Sequence, residues 1–104
     1  MPDPPELPAE LRILGSWRLV QADPALDFAP GAGMVFLPSG RLDYHFEVGN
    51  HRQRVAMVYR VEENILHTEV PETAHQQSAP FSFGPGDVLA FDFAGRRALF
   101  IREI

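Results

Sequence analysis

The chain contains no cysteine, which excludes disulfides, thiolate metal sites and a cysteine nucleophile together. Lysine is absent too: all 9 basic residues are arginine, set against 14 carboxylates for a formal net charge of -5. A chain so short of positive charge lacks the basic cluster that phosphate neutralisation needs, so no nucleic-acid partner is expected. The bias toward arginine fits a GC-rich genome and implies no mechanism. No apolar run is long enough to cross a bilayer as a helix. Met1 to Glu10 is acidic and proline-rich, without the basic segment that opens a signal peptide. No membrane partner and a cytoplasmic location are therefore expected. Stability has to come from one hydrophobic core, which 104 residues with 45% apolar content can build once.

Helical periodicity is also scarce. Residues 1–8, with prolines at positions 2, 4, 5 and 8, read as a flexible lead, because proline fixes φ and removes backbone donors. Residues 9–104 read as a single domain. Ala9 to Leu14 suits one helical turn, since Pro8 fits a helix start and Leu11 and Leu14 lie three apart. From Leu14 onward the period is two. Leu42, Tyr44, Phe46 and Val48 alternate with Arg41, Asp43, His45 and Glu47, and Val55, Met57, Tyr59 and Val61 continue the pattern beyond Gly49-Asn50. A two-residue loop there pairs Tyr44 with Val55, Leu42 with Met57 and Phe46 with Gln53, which keeps the apolar sets on one face. It also sets Glu47 opposite Arg52 as an exposed ion pair.

The remaining strands are expected at Gly15 to Ala22, Gly33 to Leu37, Ile65 to Val70, Gln77 to Phe83, Val88 to Phe93 and Arg97 to Glu103. In the fifth, Leu66, Thr68 and Val70 face inward, and His67 and Glu69 outward. Eight short strands joined by turns leave no room for crossovers. The expected fold is an all-β, eight-stranded antiparallel up-and-down meander, closed into a barrel because closure removes the two bare edges. The last strand is apolar on both faces, Ala98 with Phe100 and Leu99 with Ile101. It calls for cover from the N-terminal lead or from a homodimer partner.

Gly15-Ser16-Trp17 after a short helical turn, the stretch Phe36-Leu37-Pro38-Ser39-Gly40-Arg41-Leu42, the strand Tyr59-Arg60-Val61 and the closing Phe100-Ile101-Arg102 resemble the lipocalin-like, or calycin, superfamily. The short bacterial lipocalin-like domains are the nearer comparison, because cysteines, a signal sequence and a C-terminal helix are missing. The resemblance implies a barrel whose first strand presents Gly15 and Trp17 at a closed end. An arginine near the end of the last strand would pack across the indole: Arg102, or Arg97 in a different register. It also implies a small apolar or amphipathic ligand bound in the lumen.

The expected ligand-binding residues are Tyr44, Phe46, Met57, Tyr59, Thr68, Phe81 and Phe91, with Phe83 and Leu89 beside them. Aromatic rows with a few polar tips describe a pocket, and equally a filled core, which would favour a protein-interaction module or a homodimeric structural domain. His45, His51, His67 and His75 show no tight ligand spacing, so no metal and no cofactor is expected. Were haem bound, as in the small haem-binding barrels of the same superfamily, His75 would be the axial ligand. No nucleophile motif is present. Inward Tyr44 and Tyr59 leave an isomerase or cyclase as a further alternative, with the two phenols as donors to a bound carbonyl.

Overall fold

The alternation that begins at Gly15 becomes eight antiparallel strands closed into a barrel, each hydrogen-bonded to its neighbours in sequence and the last to the first. The structure is a computed structural model and describes residues 8–26, 28 and 31–103. The strands are β1 (Gly15–Ala22), β2 (Gly33–Phe36), β3 (Arg41–Val48), β4 (His51–Glu62), β5 (Ile65–Val70), β6 (His75–Gly84), β7 (Val88–Phe93) and β8 (Arg96–Arg102). One short helix, α1 (Ala9–Arg12), precedes them, and a 3-10 turn occupies Pro24–Leu26. Of the proline-rich lead only Pro8 falls among the described residues, and its carbonyl accepts from the amides of Leu11 and Arg12 to start the helical turn.

The β3–β4 hairpin turns on Gly49-Asn50 and pairs Leu42 with Met57, Tyr44 with Val55 and Phe46 with Gln53, as parity and turn chemistry require. Glu47 stands opposite Arg52 in this register. Among the described residues, however, the two close no ion pair, and the Glu47 side chain lies instead beside Gly31. An exposed pair gains too little to overcome such a local preference. Val48, expected inward, is 54% exposed because it lies at the hairpin tip beyond the barrel rim.

One irregularity escapes the period-two reading. Leu19 pairs with Phe100 while Gln21 pairs with Leu99, so Val20 is an extra residue in β1. The bulge shifts parity, so that Ala22 joins Trp17 and Leu19 in packing against the core, while Val20 and Gln21 are both exposed.

The closed end is built around Trp17. Its indole is fully buried and its Nε1 donates to the carbonyl of Ile13 at 2.8 Å. In the helical turn it is Ile13 that is buried, whereas Leu11 is 50% exposed: the turn lies across the barrel end and directs its C-terminal side inward. Arg102 pairs with Trp17 in the β1–β8 register and sets its guanidinium 4.3 Å from the indole centre. Its two terminal nitrogens donate to the carbonyls of Leu14 and Arg12 at 2.7 Å each, and its Nε lies 3.6 Å from Asp87 in the β6–β7 turn. Arg97 is exposed at the other end of β8. Gly15 has φ +113, and a Cβ there would meet the Arg102 guanidinium at 3.0 Å. The glycine therefore makes room for the arginine.

Replacing Arg102 with Met is expected to lower unfolding free energy by on the order of 2–3 kcal/mol, because two carbonyls lose a charged donor. Arg102→Lys should recover part of this loss, since it keeps the cation but not the planar two-pronged donation. Urea denaturation of the three proteins checks the order.

Candidate functional site

The lumen is filled at one end and hollow at the other. Toward the closed end, Phe81 packs edge-to-face on Phe83 with centroids 5.6 Å apart, and Phe91 meets Phe100 edge-to-face at 5.7 Å. Tyr59 packs edge-to-face on Phe36 at 5.1 Å, and its hydroxyl donates to the Leu37 carbonyl at 2.8 Å. Toward the opposite end the inward positions carry Ala79, Thr68, Met34 and Met57, small or unbranched side chains where bulky rings would close the space. A cavity of about 310 Å³ remains, at the lower bound of ligand pockets, which run from roughly 300 Å³ upward.

The wall of this cavity comprises Leu26, Phe28, Met34, Leu42, Tyr44, Met57, Leu66, Thr68, Gln77, Ala79, Phe91 and Phe93. Of the expected ligand-binding residues, Tyr44, Met57, Thr68 and Phe91 stand in it; Phe46, Tyr59 and Phe81 do not. Phe46 is one step nearer the hairpin tip and rests against Tyr44 with centroids 5.4 Å apart. Tyr59 and Phe81 belong to the packed end, where the aromatic contacts just described hold them. Parity along a strand assigned these residues to the inner face correctly but carries no information on depth along the barrel axis.

Leu26 and Phe28 are the residues that strand reasoning missed, because they come from the β1–β2 connection. Phe28 enters the barrel mouth and packs on Phe100 edge-to-face at 6.0 Å, on Phe93 at 6.0 Å and on Tyr44 at 6.4 Å. The available signal was an apolar pair, Leu26 and Phe28, in a loop otherwise rich in Pro, Ala and Gly.

Chemically the wall is nearly all apolar. Its polar groups are the Tyr44 hydroxyl, the Thr68 hydroxyl and Gln77; among the described residues it carries no charged side chain and no histidine. Burial pushes the phenols of Tyr44 and Tyr59 above their ordinary range, so both remain protonated donors. The Thr68 hydroxyl donates to the Gln77 carbonyl at 3.4 Å. Such a lining can hold and orient a small molecule; a proton-transfer pair of phenol and carboxylate is not assembled among the described residues.

The histidines lie elsewhere. His75 is exposed at the first position of β6, where its amide donates to the Thr73 hydroxyl at 3.4 Å. Among the described residues no three His, Asp or Glu side chains converge as a metal would require. His45, expected on a wet face, is half-buried: its ring lies over Gly33, where a Cβ would come within 2.5 Å of its Cε1, and its buried Nδ1 has no partner among the described residues. On the outer face of β4 to β6, His67 Nδ1 lies 2.6 Å from the Ser78 hydroxyl, and its Nε2 is 3.8 Å from Glu62. His67 and Ser78 border a shallow groove of about 280 Å³, and Glu62 stands outside its lining. His67 and Ser78 are paired across the β5–β6 ladder.

No protein-family model matches the sequence, and no curated protein matches it. Phe28→Ala is expected to open the mouth and accelerate uptake of a small apolar ligand severalfold, with little change in the far-ultraviolet circular dichroism. Stopped-flow fluorescence with a naphthalene-based ligand measures it.

Proposed function

We propose that this protein is a lipocalin-like barrel that binds one small hydrophobic molecule in its lumen. The observation that carries the reading is the one-ended cavity of about 310 Å³, sealed behind Trp17 and Arg102 and lined by apolar side chains from six strands and the β1–β2 connection. A barrel of eight strands has an interior just wide enough to be filled by side chains or to hold one ligand. Here small and flexible residues leave about 310 Å³ open, at the cost of dispersion contacts that a filled core would make. Retention of such a void fits a binding role.

Ethylnaphthalene, a hydrocarbon of suitable size, should bind saturably at one site. Ala79→Leu places a larger side chain in the cavity and should weaken that binding roughly ten-fold or more, as overpacking a matched site costs on the order of 1–3 kcal/mol. Fluorescence titration measures it. Absence of saturable binding to the native chain overturns the reading.

A second reading, association of two copies through the last strand, draws on the outer face. Leu99 and Ile101 of β8 stand beside Ala90 and Val88 of β7, all half-buried, with the exposed Val20 bulge of β1 next to them. Their contiguity favours a self-complementary contact. Sedimentation velocity should then find a dimer that Leu99→Glu converts to monomer; a native monomer overturns it.

A further inference from the structure

We propose that the lumen selects a neutral ligand of two fused rings bearing one hydrogen-bond acceptor, which the Tyr44 hydroxyl reads. The proposal rests on the binding function above and specifies the chemistry of its ligand.

Size comes first. A dry apolar cavity of about 150 Å³ holds one benzene, and the cavity here is about 310 Å³. Two fused rings with a short substituent match that space, whereas a single ring would leave unfilled volume and lost contacts.

Charge comes second. The described wall has no arginine, carboxylate or histidine, and the chain as a whole carries a net charge of -5. A carboxylate ligand would lose its hydration without gaining a cation, and the surrounding negative field would oppose its approach. An ammonium would meet aromatic faces from Phe28, Tyr44, Phe91 and Phe93. It too would be desolvated, with no opposite charge in the described wall. A neutral molecule avoids both costs.

Polarity comes third. The Tyr59 hydroxyl is committed to the Leu37 carbonyl and the Thr68 hydroxyl to the Gln77 carbonyl. Tyr44 lines the cavity, and no side-chain hydrogen bond among the described residues engages its hydroxyl. Burial keeps this phenol protonated, so it offers a proton and favours a ligand carbonyl or ether oxygen. A donor free in a largely apolar wall favours a ligand that satisfies it over one that does not.

Calorimetric titration of the native chain and of Tyr44→Phe with four ligands of one shape tests this: acetylnaphthalene, ethylnaphthalene, naphthoate and naphthylmethylammonium. Native protein should bind the ketone about ten-fold more tightly than the hydrocarbon, and the two ions more weakly than either. Tyr44→Phe should remove the ketone's advantage over the hydrocarbon, and a far-ultraviolet circular dichroism spectrum matching that of the native chain shows that the variant is folded. Equal affinity for ketone and hydrocarbon overturns the proposal while the binding function stands. So does tighter binding of either ion, or a ketone preference that survives Tyr44→Phe. If no ligand of the series binds the native chain, the binding function itself fails.

Discussion

The guanidinium of Arg102 spans the indole of Trp17 and donates to the carbonyls of Arg12 and Leu14, and this contact organises the rest of the molecule. It acts where the first and last strands meet, so it reinforces the one seam that a sequential meander cannot close by local turns. It also ties down the short N-terminal helix, which at four residues has no stability of its own. Arg12, held in that turn, lies over the ring of Phe83 at 4.4 Å, and Phe83 in turn packs near Trp17. Two arginines and two aromatic rings thus seal one end, with the Arg102 guanidinium satisfied by backbone carbonyls and that of Arg12 set over an aromatic face.

Sealing one end determines what the other can be. The buried aromatic residues Trp17, Phe36, Phe91 and Phe100 supply the core that a chain of this size needs. With that core concentrated near the seal, the mouth can carry Ala79, Thr68 and two methionines without loss of the fold. The cavity and its largely apolar wall follow from this division of labour along the barrel axis. Phe28, brought from a connection and not from a strand, narrows the open end and completes the aromatic lining.

Much of this was legible in the residues themselves. Alternation identified strands because side chains on a pleated backbone point to opposite faces in turn, and Gly49-Asn50 set the hairpin register because a two-residue loop admits only one pairing. The outward and inward assignment of Tyr44, Met57, Thr68 and Phe91 followed from the same parity. The bulge at Val20 was not legible: an inserted residue leaves no mark in a short run of apolar and polar side chains, yet it changes which residues face the core. Nor was the half-buried state of His45, which depends on Gly33 standing beside it on the adjacent strand.

The sequence by itself determined the strand count, the antiparallel order, the single core and the lack of cysteine and lysine chemistry, since each is written in local periodicity or composition. Tertiary structure alone decided which end is filled and which is hollow. Depth along a barrel depends on the stagger of all eight strands together, and no single strand encodes it. For the same reason Phe46, Tyr59 and Phe81 stand outside the cavity wall, while Leu26 and Phe28 enter it from a connection that strand parity does not describe. Only the folded chain shows Tyr44 in the cavity wall with its hydroxyl in no hydrogen bond among the described residues.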